Sequence, residues 1–301
     1  MADQGQVDFS SKYTNANLAP DATPYDWPLL SGLLRKLEEA DDGAIKSVAP
    51  AVLSAMLCAQ ARGDAVPGLF GDLISGQPDE RAKEIYASMK AGLTLTFPFV
   101  GLPHCIPACM GLIGQLRDRN IDVDGALDRQ VYLSYTTISP PPTREEKELF
   151  GPEARLTAFV CRPGFQDRDW TAVGGEINNK IYRGVGNPEV RQLMSRYFPE
   201  LSLAAQTTCF GFLMGGSFEG QSLHLAEIII MGGIAASGAV RQARSHCKAA
   251  IGLRVSVEAV QTVVEVAEQV VAWNGKGLRG VLNVLELAEE IRDNLAKEAQ
   301  K

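Results

Sequence analysis

Histidines, basic clusters and long apolar runs are all scarce in this chain. Three histidines occur in 301 residues, and 36 acidic residues against 29 basic ones give a formal charge of −7. This charge, together with the lack of any basic run, argues against a nucleic-acid-binding protein. Gly232 and Gly233 interrupt the apolar run at 228–230, so no segment reaches the length of a membrane-spanning helix. The N-terminal residues lack the apolar core of a secretory signal, and a cytoplasmic location is expected.

Cysteine pairs with the spacing of a metal or redox site are also missing. The six cysteines are scattered and none belongs to a CxxC motif; Cys105 and Cys109, four positions apart, are the closest pair. Such cysteines are expected to be reduced and mostly buried thiols. A glycine-rich phosphate loop is missing too, because Gly275 and Gly277 fit a simple break between helices.

The chain does contain a succession of helical patterns. An amphipathic helix is predicted from Trp27 to Glu39, an apolar one from Val48 to Arg62, and a third that Asp79 opens and Gly92 ends. A buried helix is predicted from the break at Gly101 to about Arg119. Residues 130–170 differ, because they combine a β-like alternation, a proline corner at 139–142 and a capping-box pattern for a short helix after it.

Both halves of the chain show the same order of helices and breaks. Aligning Gly63 with Gly238, and Gly101 with Gly275, gives offsets of 175 and 174 residues. This nearly constant offset indicates a duplicated all-helical unit. The predicted organisation is an N-terminal arm (1–24), a first degenerate repeat (25–130), a linker (131–171) and a second repeat with the functional residues (172–301). The arm is expected to be extended or disordered, or else to wrap a neighbouring subunit.

The stretch from Ser222 to Gly252 is the most informative part of the sequence. It contains two helical runs joined at Ser237-Gly238, which predicts an antiparallel hairpin closed by a glycine at position 252. Glu227 and His246 each lie about 12–15 Å from the turn, so the hairpin brings them to the same level. Neither side chain belongs among apolar rows unless it is paired. A carboxylate beside an imidazole in a dry pocket is suited to moving protons.

The second repeat resembles the carboxymuconolactone decarboxylase family, which also includes the alkyl hydroperoxidase D proteins. The resemblance runs from about 172 to 288 and rests on the segments KIYRGVGNPEV, YFPEL, LHLAEIIIMGGIAASGA and RQARSHCKAAIGLRVSVEAVQTVV. In the peroxidase branch, cysteines follow a glutamate by 12 and 15 positions and a histidine follows it by 19. Counted from Glu227, position 19 is His246, but the cysteine positions hold Ala239 and Gln242. The first repeat resembles the family more faintly.

This resemblance implies an all-α fold, a duplicated carboxymuconolactone decarboxylase-like unit, with Glu227 and His246 as the catalytic residues. It also implies that no cofactor is needed and that the protein is a homo-oligomer, a trimer or dimer of duplicated units. Thiol peroxidase activity needs a nucleophilic thiolate and a resolving thiol, which Ala239 and Gln242 cannot supply. The decarboxylase branch is therefore the closer one.

Four further side chains are candidates for substrate binding. His224 lies one helical turn before the glutamate and could line the pocket or, with the acid–base pair, hold a metal. Gln242 could bond a substrate oxygen or orient the imidazole. His104 could reach the pocket from the first repeat or lie on the surface, and Trp273 could line the pocket or belong to the core.

We therefore expect a cofactor-independent acid–base enzyme, a decarboxylase, isomerase or cyclase, that acts on a small conjugated or cyclic carbonyl acid. A small-molecule substrate is expected, and neither nucleic acid nor membrane is. One alternative is a non-catalytic ligand-binding or assembly protein of the same fold, in which both side chains would be bonded to the backbone and sealed from any cavity. The remaining alternative is a thiol peroxidase.

Overall fold

Helices make up almost all of the described structure. The computed structural model describes residues 10–15, 18–121, 133–137, 157–161, 168–186, 188–215, 222–277 and 280–300. The helices in these ranges are α1 (Trp27–Glu39), α2 (Ala49–Ala59), α3 (Val66–Leu73), α4 (Asp79–Val100), α5 (Leu102–Asp118), α6 (Trp170–Ile181), α7 (Pro188–Tyr197), α8 (Pro199–Ala204), α9 (Leu223–Ala236), α10 (Val240–Gly252), α11 (Val257–Trp273) and α12 (Val284–Ala299). A π-helical segment, Ala205–Met214, follows α8. The prediction of an all-α protein is thereby confirmed.

One small antiparallel ribbon interrupts the helices. Strand β1 (Leu133–Thr137) pairs with β2 (Thr157–Cys161), with Leu133 opposite Cys161. The β-like alternation in the sequence therefore corresponds to strand β1 of the structure. The proline corner at 139–142 and the short helix predicted after it lie outside the described residues.

Helix α1 shows how local signals set an element's limits. Asp26 caps it by accepting a hydrogen bond from the Leu29 amide at 3.0 Å, and Pro28 occupies the first turn, where no amide donor is needed. Its buried leucines recur every three or four positions, so they form one stripe. These are Leu30, Leu33, Leu34 and Leu37. The stripe packs against α2 and α11.

Helices α2 and α9 form the centre of the molecule. Both are buried on every side: the ten positions from Ala49 to Cys58 and the eleven from Ala226 to Ala236 are all buried. They pack against each other and against α4, and α9 also contacts α10 and α11. Helices that are apolar all round belong in a protein interior. The predominantly apolar sequence of these two segments is therefore typical of central helices.

The prediction that Gly92 ends a helix is wrong. Helix α4 continues through this position to Val100. A Cβ atom at Gly92 would lie 2.6 Å from the Ala51 carbonyl oxygen. The glycine is thus needed because α2 and α4 approach closely, and it does not mark a helix end.

The hairpin of α9 and α10 forms as predicted, apart from its end. Gly238 makes the turn with a φ of +75°. At the far end, however, Gly252 is still helical and Arg254 adopts the positive φ, 72°. Helix α11 then begins after Ser256, whose side chain accepts a hydrogen bond from the Ala259 amide at 3.0 Å. Ser256 is therefore the N-cap of α11.

Part of the N-terminal arm lies on its own chain. The turn Ser10–Thr14 packs against α5, and Thr14 is buried. Farther along, the Pro24 carbonyl accepts a hydrogen bond from the Trp273 indole at 3.3 Å. These residues are therefore ordered against helices of their own chain and not disordered, whereas contact of the arm with a neighbouring subunit stays a prediction.

No helix in the described part of the chain combines the length and the hydropathy required to cross a bilayer.

Candidate functional site

Glu227 and His246 contact each other across the hairpin, as their similar distances from the turn predict. His246 Nδ1 lies 2.6 Å from Glu227 Oε1, and the two residues are 4% and 0% exposed. A carboxylate can only accept, so Nδ1 carries the proton and donates it. Nε2 is the ring nitrogen that does not face the carboxylate, and it lies 3.4 Å from the Tyr182 hydroxyl. The pair therefore has the geometry of an oriented general base or acid.

Two aromatic rings contact the imidazole, and a third packs against one of them. Phe99 and Tyr182 each meet His246 edge to face, with ring centroids 5.9 and 6.0 Å away. Phe210 packs against Tyr182 in the same manner at 6.0 Å. Rings in these positions keep water from the sides of the imidazole and hold it in one orientation. Phe99 comes from α4, so the N-terminal half of the chain contributes to the site.

Tyr182 adds a third polar group that the spacing analysis does not identify. Its hydroxyl lies 3.4 Å from His246 Nε2, and burial, followed by the negative charge of Glu227, raises its pKa above the ordinary value. The hydroxyl therefore remains protonated at neutral pH and acts as a hydrogen-bond donor. Tyr182 lies 64 positions from His246. No helical or hairpin spacing connects such distant residues, so only the fold reveals the contact.

A cavity of about 530 Å³ opens beside this group. His246, Tyr182 and Phe210 form part of its lining, and Gln206 of the π-helical segment lies among the other lining residues. Helices α6, α7, α8, α10 and α12 supply most of the remaining wall. The volume suits a small organic molecule. His246 is thus both buried and in reach of a ligand.

Glu227 does not line this cavity. It lies behind the imidazole, and its second oxygen, Oε2, has no hydrogen-bond partner among the described residues. The prediction that carboxylate and imidazole touch one shared cavity therefore needs a correction. Glu227 acts on a ligand through His246, as a positioning residue that fixes the proton on Nδ1 and stabilises a positive imidazolium.

Of the other predicted binding residues, only Gln242 lines the cavity, and it is exposed. The other three residues lie elsewhere, and His104 takes the surface position that the sequence leaves open for it. His224 is exposed and its ring lies 3.4 Å from Ser222 Oγ, while His104 is exposed at the start of α5. Trp273 lies under the Arg62 guanidinium, 4.5 Å from its ring centroid, and its indole donates a hydrogen bond to the Pro24 carbonyl. It therefore packs against the N-terminal arm. None of these three lines the cavity.

The described residues form no metal site, and the thiol next to His246 is unreactive. No group of three or more histidine, cysteine, aspartate or glutamate side chains there is placed to hold a metal ion. Cys247 adjoins His246 in sequence, but it is fully buried and burial raises its pKa to about 12. Its sulfur is therefore a protonated thiol at neutral pH, which is a poor nucleophile.

No family model, no curated protein and no solved structure matches this chain.

Proposed function

We propose that this protein is a cofactor-independent acid–base enzyme, a decarboxylase, isomerase or cyclase of a small conjugated or cyclic carbonyl acid. The observation that carries the proposal is the buried hydrogen bond of 2.6 Å between Glu227 and His246, with His246 at the wall of a cavity. A buried carboxylate that serves only packing has little reason to be there, since its burial is costly. Bonded to an imidazole that a ligand can reach, it has a chemical use.

The chemistry follows from the three polar groups. In a decarboxylation, the C–C bond to the carboxylate breaks, CO₂ leaves, and the electron pair forms an enolate. His246 takes up a proton from solvent at Nε2 before the bond breaks, and Glu227 stabilises the resulting imidazolium. Nε2 then delivers this proton to carbon, and the imidazole becomes neutral again. The Tyr182 hydroxyl donates a hydrogen bond to the enolate oxygen. In an isomerisation the same nitrogen removes a proton from one carbon and returns it to another.

Duplication of a carboxymuconolactone decarboxylase-like unit is part of the same proposal. Its support is the parallel order of elements: α2, α3, α4 and α5 are followed by α9, α10, α11 and α12 in a similar succession. Contacts repeat as well, because α3 packs on α5 and α10 packs on α12. The centre of each set, α2 and α9, packs against the other. Only the second set carries the acid–base pair.

Replacing the two residues tests the assignment. We expect His246→Ala and Glu227→Gln to lower turnover of a responsive member of a lactone and β-keto acid panel by about 10²–10⁴-fold, the usual worth of general acid–base catalysis. His224→Ala is the matched control, because it removes an exposed imidazole from the same hairpin. Undiminished turnover in both site variants would eliminate the proposal.

The two rival functions make different predictions. A non-catalytic binding protein would bind acids from the panel without turning any of them over. A thiol peroxidase would consume an alkyl hydroperoxide and lose that activity when all six cysteines are replaced by serine. Retention of decarboxylase or isomerase activity in the cysteine-free variant separates the proposed enzyme from the peroxidase.

A further inference from the structure

Positive charge predominates around the cavity. Arg183, Arg191 and Arg241 belong to its lining, whereas Glu298 is the one carboxylate among the described lining residues. The whole chain, in contrast, has a formal charge of −7. Cationic side chains gathered at a cavity in an acidic protein attract an anionic ligand and raise its local concentration.

Two of these arginines already have partners. Arg191 donates hydrogen bonds to the side-chain oxygens of Asn178 and Asn179, at 3.3 and 2.8 Å. Both acceptors are neutral amides, so they orient the guanidinium without cancelling its charge. Arg183 lies 3.7 Å from Glu298 and is largely exposed, so this ion pair is weak.

Arg241 differs from both. Within the described part of the chain, its guanidinium makes no hydrogen bond, ion pair or ring contact. It projects from the first turn of α10, the helix that carries His246 five positions later. Ser245 and Gln242, on the same helix, also line the cavity. The planar fork of donors on Arg241 is therefore available to a ligand that reaches the imidazole.

We propose that Arg241 binds a carboxylate of the substrate and thereby makes the cavity selective for acids over their neutral analogues. The inference rests on the proposed function, because it assigns a specificity-determining residue to the same cavity. A guanidinium matches a carboxylate with two parallel hydrogen bonds, an arrangement that no amide or ammonium reproduces. Arg191, fixed by its two asparagines, adds a second positive charge at the same cavity.

Binding of a conjugated acid and its ester provides the test. Sorbate carries a conjugated chain and one carboxylate, and methyl sorbate keeps the chain but has no charge. By ligand-observed NMR, we expect the wild-type protein to bind sorbate at least about tenfold more tightly than the ester. Arg241→Gln should abolish most of that preference by weakening sorbate binding alone. Arg241→Lys, which keeps the charge and loses the fork, should retain part of it.

Arg292→Gln is the matched control, because it removes an exposed arginine from α12 outside the cavity. Three results would overturn the inference: no measurable sorbate binding, equal affinity of the wild type for acid and ester, or an undiminished preference in Arg241→Gln. The assay measures affinity only, and His246→Ala should keep the preference. If the acid–base variants remain fully active while Arg241→Gln loses selectivity, the proposed enzyme function fails and the carboxylate site stands.

Discussion

At the scale of single residues, the site consists of a buried pair that sequence spacing reveals and a tyrosine that it does not. Glu227 is recognisable because it interrupts an apolar helix, and His246 because it lies at about the same distance from the shared turn. Tyr182 is an ordinary tyrosine at the end of α6, in a segment without polar periodicity. Its role depends on the packing of α6 beside α10, a tertiary contact that no local pattern encodes.

Tyr182→Phe tests whether the hydroxyl takes part in the reaction. The substitution removes one oxygen and keeps the ring, so the contacts with His246 and Phe210 remain. We expect turnover to fall by about 10–10³-fold, the range for loss of one donor to a developing oxyanion, with little change in thermal stability. Turnover equal to that of the wild type would show that Tyr182 only shapes the cavity. Tyr197→Phe, at a tyrosine 63% exposed, is the control.

The ionisation of Tyr182 leads to a separate prediction about pH. Its folded-state pKa is raised above the ordinary value of 10.0, mainly by burial. The folded state therefore favours the protonated phenol. This preference costs nothing below pH 10 and destabilises the fold as the pH rises above it, because the unfolded chain ionises more readily. An ultraviolet titration of wild type minus Tyr182→Phe should show no tyrosinate step near pH 10; such a step would contradict the assigned burial.

At the scale of helices, the sequence signals at both ends of an element are read with mixed success. Asp79, which is predicted to open α4, lies inside its first turn after Pro78, and no side chain caps this helix. Asp26 and Ser256 cap the helices that they precede, because an N-cap bond is made within one turn of chain. Glycine can be required at a position for several reasons. Gly238 makes a turn, whereas Gly92 and Gly252 lie inside helices, and only their neighbours in space distinguish the two cases.

The close contact at Gly92 predicts a measurable cost. Gly92→Ala places a Cβ 2.6 Å from a carbonyl oxygen of α2, and a backbone atom at the centre of the fold cannot easily move away. We expect a loss of about 1–3 kcal/mol in the free energy of unfolding. Gly32→Ala is the control within α1, since nothing lies within 4 Å of its Cβ. The control should be neutral or stabilising by up to about 1 kcal/mol. Equal urea midpoints for both variants would contradict the close packing.

At the scale of the whole molecule, the least buried described helices are also those beside the cavity. Helices α7 and α8, here called the outer pair, contain no buried residue. Large apolar side chains are exposed on them and between them, among these Leu193 on α7, Leu203 on α8 and Phe198 at their junction. Exposed apolar groups of this size are typical of a surface that contacts another protein. The outer pair also contains two glutamates and two arginines, so in a symmetric contact between two copies of the chain each acidic side chain could pair with a basic one of the other copy.

Self-association through the outer pair can be tested by charge insertion. We expect the wild-type protein to be a homo-oligomer in sedimentation equilibrium and Leu193→Glu to lower its mass, because a buried glutamate without a partner is costly. Leu285→Glu, at a leucine 62% exposed on α12, should leave the mass unchanged. A monomeric wild type, or equal masses for the two variants, would exclude this surface as the interface.

The acid–base pair and much of the cavity wall belong to different parts of the fold. The carboxylate and the imidazole are buried side chains of α9 and α10. Val190, Met194 and Leu201, in contrast, reach the same cavity from helices that contain no buried residue. Substitutions there change the shape and polarity of the chamber at little cost in stability. The wall of the cavity can therefore be substituted without disturbing Glu227 and His246. Variants with a changed wall could accept other acids while they keep the same proton-transfer residues.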